Sequence, residues 1–111
     1  MDKQKRESFR VEYPRSYFPT INIGNKTFDI LDASEFGIKF CYRENTPYNL
    51  GEKVAGIITF ADNDQFNLKA KVIRIEELFI SIELLTPLPL SKIRAEHLYL
   101  MQRFSEKKAH S

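Results

Sequence analysis

The chain of 111 residues holds a single cysteine, Cys41. No intramolecular disulfide can form, and a zinc site built from several thiolates is excluded. Cys41 falls in Ile38-Lys39-Phe40-Cys41-Tyr42, a run that reads as a strand, where it serves as a small strand residue rather than a nucleophile. No stretch approaches the ~20 apolar residues of a membrane-spanning helix, so no membrane insertion is expected. The charged start, Met1-Asp2-Lys3-Gln4-Lys5-Arg6, lacks the apolar run that follows in a signal peptide, and the expected location is the reducing cytoplasm. A bias toward one sign of charge is also missing: 17 Lys and Arg stand against 15 Asp and Glu, a formal net charge of +2. Proteins that bind DNA or RNA along a basic face usually carry a larger excess, so a small anionic ligand or a protein partner is the better expectation. There is no phosphate loop, no metal-ligand cluster and no Ser-His-Asp series at a recognisable spacing. The chain reads as a non-enzyme without a metal.

What is present is enough apolar material for a core. A hydrophobic fraction of 42% with 13% aromatics argues for one folded domain over residues 1–111 rather than disorder. Residues 1–15 are polar and weakly periodic, with Pro14 blocking regular continuation, and read as a flexible arm. From there the chain becomes a series of strand-like runs over residues 16–86: Phe18 to Ile23, Lys26 to Leu31, Ile38 to Arg43, Lys53 to Ala61, Phe66 to Glu76 and Leu78 to Leu85. Pro19 implies an edge position or a late start for the first. Gly24-Asn25 reads as a type II′ hairpin turn, and Asp62-Asn63-Asp64 as another turn. In the fifth run, Leu68, Ala70 and Val72 alternate with Lys69 and Lys71, and the alternation breaks at Ile73 and Ile75, which predicts a bulge or bend. After Pro87 and Pro89 the period changes. Ile93, His97, Leu100, Met101 and Phe104 form one stripe of a helix over 90–105, with Ser91 as its cap and a frayed tail behind. His97 on that stripe is expected to be a partly buried packing residue. Six strands and a terminal helix imply an all-β barrel or sandwich, antiparallel, with the helix packed on it.

Two short motifs carry chemistry: Arg6-x-x-x-Arg10 in the arm, and Asp32-x-Ser34-x-x-Gly37 at the end of an early strand. An arginine fork grips a phosphate or the O6 and N7 of guanine, and its plane stacks on a purine. An ionised Asp32 accepts the N1–H and N2–H donors of guanine. Ser34 adds a compact hydroxyl, and Gly37 lets the backbone approach a ligand without a Cβ between them. Each residue also has a plainer reading. Arg6 and Arg10 fit one solvated face of a charged helix; Asp32 and Ser34 fit turn residues bonding the local backbone, with Gly37 serving a bulge. Phe9 and Phe36, inside the motifs, pack on the barrel or on a ligand.

Taken together and in this order, with the later runs Leu68-Lys69-Ala70-Lys71-Val72-Ile73-Arg74 and Phe79-Ile80-Ser81-Ile82-Glu83-Leu84, the chain resembles the PilZ domain, a bacterial module that binds the second messenger cyclic di-GMP. The resemblance extends from Lys5 to about Phe104. It implies a six-stranded antiparallel β-barrel with a C-terminal helix and a flexible arm, and a receptor that takes cyclic di-GMP as ligand and needs no cofactor. It further implies that Arg6 and Arg10 clamp phosphates and guanine from the arm while Asp32, Ser34 and Gly37 hold a guanine on the barrel. Lys5, just before the first arginine, stands where a basic residue engages a second, stacked nucleotide, and Arg74 is an extra candidate. Binding would fold the arm over the barrel and signal to a downstream protein partner controlling motility, biofilm or virulence. Two other functions stay open: a PilZ-like adaptor that binds no nucleotide, and a small barrel for single-stranded nucleic acid using Tyr13, Tyr17 and Phe18.

Overall fold

The computed structural model describes residues 9–14, 16–42 and 48–109. Seven strands and one helix follow in chain order: β1 (Arg10–Glu12), β2 (Thr20–Ile23), β3 (Lys26–Ser34), β4 (Gly37–Cys41), β5 (Lys53–Thr59), β6 (Gln65–Ile75), β7 (Phe79–Leu84) and α1 (Leu90–Ala109). Neighbouring strands run β1-β3-β2-β5-β6-β7-β4, and a further β3–β4 pairing closes the last six into an antiparallel barrel. The expected six-stranded barrel is therefore present, with β1 added outside the circle. β2 pairs with residues 26–29 of β3 and β1 takes residues 32–34, so β1 continues the side of β3 that β2 has left.

Strand alternation sends one face of each run inward. Ile21, Ile30, Ile38, Phe40, Ile58, Ala70, Val72, Ile80 and Ile82 are almost fully buried and fill the barrel, as a closed sheet with a packed interior requires. The hairpin at Gly24-Asn25 has its positive φ of 64° at the glycine alone, the pattern of a type II′ turn. Pro19 precedes β2, which begins late, at Thr20. Asn63 takes the left-handed conformation in the turn between β5 and β6, where Asp62 Oδ1 accepts the Asp64 N–H at 3.0 Å.

Four expectations are corrected. Residues 10–12 are a strand, not part of a loose arm, because Val11 is buried and its neighbours find main-chain partners on β3. The helix begins one residue before Ser91, and the Pro89 carbonyl accepts from the Lys92 and Ile93 N–H groups at 3.0 and 3.3 Å; Ser91 therefore sits inside the first turn and not at the cap. The helix continues to Ala109 rather than fraying from Ser105. Its inward face also differs from the apolar stripe. Ile93 and Leu100 are buried as expected, but Met101 is 49% exposed while Glu96 is only 4% exposed.

Glu96 belongs to a polar cluster that joins the helix to the segment between β1 and β2 and to the β5–β6 turn. The Tyr13 hydroxyl donates to Glu96 Oε1 at 2.8 Å and the Tyr17 hydroxyl to Oε2 at 3.3 Å. Lys92, one turn before, donates to Asp62 at 2.6 Å and Asp64 at 2.8 Å in the β5–β6 turn, and its ammonium lies 4.7 Å from the centre of the Phe60 ring. Buried charge is costly unless it is bonded on several sides, and this cluster meets that condition.

Candidate functional site

The position of Asp32 depends on a bulge. In the β3–β4 ladder Ile30 faces Phe40, and the next pair is Asp32 with Lys39, leaving Leu31 as the extra residue. Strict alternation would send Asp32 inward with Ile30. The register shift turns it to the outer wall, while Ala33 beyond it points into the core. From β1, Arg10 Nη1 donates to Asp32 Oδ1 at 2.6 Å, with Arg10 half exposed at 51% and Asp32 at 13%. Burial pushes the Asp32 carboxyl above its ordinary range; the Arg10 charge and hydrogen bond, and the Lys39 charge, pull it back without cancelling that effect.

Ser34 does what its plainer reading described. Its buried Oγ accepts the N–H groups of Gly37 and Phe36 at 3.1 and 3.3 Å and lies 3.4 Å from the Gly37 carbonyl, so it builds the tight connection between β3 and β4. Gly37 has no positive φ, and a Cβ added there would meet the Ile82 carbonyl oxygen only at 3.5 Å, an ordinary contact. Neither backbone conformation nor packing within the chain demands glycine at this position. Its effect is to leave the outer wall open beside Asp32.

Arg10, Asp32 and Gly37 line one open recess of about 410 Å³, together with Lys39, Arg74 and Ser81. Arg74 arrives by a second register shift. On β6 Val72 faces Ile82 and Arg74 faces Ser81, so Ile73 is extra and Arg74 turns outward. This is the bulge expected from the broken alternation at Ile73. Lys39 and Ser81 were not singled out in the sequence; the period of β4 placed Lys39 on the outer face, but its neighbours across the wall follow from register. Ser34 is linked to the recess only through the loop it holds. Lys5 and Arg6 lie outside the described residues. Phe9 packs edge-on against His97, ring centres 4.7 Å apart, and belongs to the barrel–helix contact, with His97 the part-buried packing residue expected; Phe36 is 42% exposed.

The fold is similar to that of three solved structures. The first is the PilZ domain with c-di-GMP of YcgR from Escherichia coli, at TM-score 0.70 and 21% identity, covering 97% of this chain and 99% of that one. The second is the Bacillus subtilis inhibitor of motility MotI/DgrA, at TM-score 0.69 and 18% identity; 94% of this chain is covered, which spans only 53% of that longer one. An uncharacterised Legionella protein, Lpg0364, aligns at TM-score 0.52 and 18% identity over 90% of this chain and 98% of the other. No curated protein matches the sequence. The PilZ domain family model matches residues 4–99, a span that takes in both motifs and every strand, and the chain belongs to the PilZ domain family.

Proposed function

We propose that this domain is a cyclic di-GMP receptor that passes the binding event to a protein partner. The observation that carries the reading is the Arg10–Asp32 pair in the recess beside Gly37. Asp32 spends one lone pair on Arg10 and keeps others for the N1–H and N2–H groups of a guanine; Arg10, half exposed, keeps most of its donors for a phosphate. Arg6 and Lys5 are assigned the remaining clamp contacts from their place in the sequence, and Ser34 a supporting role through the loop it ties. No residue of the proposal performs covalent chemistry; binding alone is the activity.

Such a receptor works as a switch when the ligand favours one arrangement of the N-terminal segment over another. The connection to the rest of the molecule is short: Arg10 opens β1, and Tyr13, three residues on, is bonded to the C-terminal helix. Calorimetric titration of cyclic di-GMP against the wild type, Arg6→Ala and Arg10→Ala tests the reading. Loss of either arginine is expected to cost roughly 2–5 kcal/mol of binding. Equal affinity in all three proteins would remove the N-terminal arginines from the site. Absence of binding to the wild type, with a stable complex to a protein partner, would leave a PilZ adaptor that takes no nucleotide.

A further inference from the structure

The recess holds more cationic chemistry than the two motifs supply. Asp32 on β3 is paired with Lys39 on β4, Lys39 with Ser81 on β7, and Ser81 with Arg74 on β6. These four residues form one lateral row across the outer wall of the barrel. At the Asp32 end the charge is cancelled by Arg10 at 2.6 Å. Beyond it, the charged residues in the lining are Lys39 and Arg74, with the short side chain of Ser81 between them.

Strand spacing sets the dimensions. Neighbouring strands lie about 4.8 Å apart, so Lys39 and Arg74 leave the wall about 10 Å from each other. Ser81 leaves a gap at the midpoint and offers a hydroxyl as floor. That opening suits a phosphodiester with its two exposed oxygens, gripped from either side. Lys39 also feels the Asp32 carboxylate that Arg10 already neutralises, and the direct side-chain contacts of both cations among the described residues are weak. Lys39 Nζ lies 5.0 Å from the centre of the Phe79 ring, and Arg74 Nη1 donates to Glu76 at 3.1 Å with both side chains well exposed. Contacts of that kind contribute little in water and yield to an anion that accepts charge-assisted hydrogen bonds. The β6 bulge is the feature that brings Arg74 outward into this row.

We propose that Lys39, Ser81 and Arg74 form a phosphodiester subsite on the barrel wall, so that a nucleotide seated with its base at Asp32 and Gly37 lies across β4 and β7 toward β6. The assignment rests on reading the recess as a nucleotide site, and it adds a fixed phosphate contact to the one that the N-terminal arginines would bring. Lys39 is a binding residue in this arrangement rather than a solvent-facing strand lysine. Arg74 sets the direction in which the ligand extends.

The test is a pair of nuclear magnetic resonance titrations of the full chain, one with cyclic di-GMP and one with inorganic pyrophosphate, which carries phosphate but no base. Both are run on the wild type and on the double variant Lys39→Gln, Arg74→Gln. Both probes are expected to shift the amides of Lys39, Ser81 and Arg74, and only cyclic di-GMP those of Asp32 to Gly37. The double variant should weaken cyclic di-GMP binding by about a hundredfold, roughly tenfold per lost charge-assisted contact, and abolish the pyrophosphate shifts. Because both substituted side chains face outward, the variant's thermal unfolding should match the wild type. If cyclic di-GMP shifts Asp32 to Gly37 but leaves the row silent, or binds the double variant with unchanged affinity, the subsite is overturned and the guanine reading stands. If pyrophosphate shifts the row while cyclic di-GMP adds nothing at Asp32 to Gly37, the subsite stands and the guanine reading fails. If neither probe shifts the row, the subsite is overturned.

Discussion

Tyr13 donates its hydroxyl to the buried carboxylate of Glu96 at 2.8 Å, across 83 residues of sequence. The bond joins the segment just after Arg10 to the C-terminal helix, and Tyr17 adds a second contact to the other carboxylate oxygen. Removing the acceptor leaves a buried hydroxyl without its partner. Glu96→Ala is expected to lower unfolding stability by about 1–3 kcal/mol, measured by urea denaturation, and to loosen the Tyr13 and Tyr17 region in hydrogen exchange. An unchanged midpoint would mean the cluster holds nothing together.

The same cluster sets the alkaline limit. Burial first, then the Glu96 charge and hydrogen bond, push the phenols of Tyr13 and Tyr17 well above their ordinary value of 10.0. A folded-state value raised in this way contributes stability that is complete below the unfolded value and is lost as pH rises toward the folded one. Lys92 acts in the same direction: burial lowers its value, and the Asp62 and Asp64 hydrogen bonds outweigh that and raise it. Stability should therefore fall above about pH 10, and Tyr13→Phe should flatten that fall. A wild-type stability profile level from pH 9 to 12 would contradict the assignment.

Asp32 predicts an effect on the acid side. Its carboxyl stands above the usual 3.8, chiefly through burial, and Arg10 holds it down. Arg10→Ala should raise it further, readable by carbon-detected titration of the side chain. For stability the sign is unfavourable to the ionised form: the contribution is complete below the unfolded value and is lost as pH rises through the folded one. For ligand binding the sign reverses, because guanine needs the ionised carboxylate. Affinity for cyclic di-GMP should weaken as pH falls through the raised Asp32 value, and Asp32→Asn should remove that dependence.

Gly37 separates stability from binding. Since the chain supplies no steric or conformational reason for glycine there, Gly37→Ala should change unfolding free energy by less than about 1 kcal/mol, with the reduced entropy of the unfolded chain favouring stabilisation. The added methyl would stand in the recess and should weaken cyclic di-GMP binding by roughly tenfold or more. Calorimetry and thermal denaturation on the same sample check both halves.

Lys92 links α1 to the β5–β6 turn through Asp62 and Asp64. The Lys92 hydrogen bond holds the Asp62 carboxyl below its ordinary value, so this link contributes stability above the unfolded value near 4 and loses it as pH falls through the folded one. Lys92→Met keeps most of the packing on Phe60 but leaves Glu96 without the neighbouring cation. A loss of about 3 kcal/mol or more is expected from an uncompensated buried charge, read from the urea denaturation midpoint.

Much of the barrel was legible because alternation is a local property. Ile38 and Phe40 against Lys39, or Ile80 and Ile82 against Ser81, state their faces within a few residues. The β6 bulge was legible for the same reason, at Ile73. β1 was not, since three residues with one buried valine carry no periodic signal; it exists because the free side of β3 gives it hydrogen-bond partners. The helix face misled in a different way. A hydrophobic stripe counts Met101 as inward and passes over Glu96, whereas Glu96 is buried by tyrosines from the other end of the chain. At the site, Arg10, Asp32 and Gly37 were named by spacing and do share one recess. Lys39, Ser81 and Arg74 come together only through the pairing of β3, β4, β7 and β6, and pairing partners are not written in any single strand.

The placement of β1 outside the closed circle has a further consequence. Among the described residues, it is the strand that covers the main-chain groups of residues 32–34 on the side of β3 that β2 does not reach. Peeling β1 away would leave a short row of unpaired donors and acceptors, which is the template by which sheets recruit strands from other molecules. A chain shortened to begin after Tyr13 would carry that template permanently, and its self-association should exceed that of the intact domain. The strand that bears Arg10 thus also caps a stretch of sheet edge.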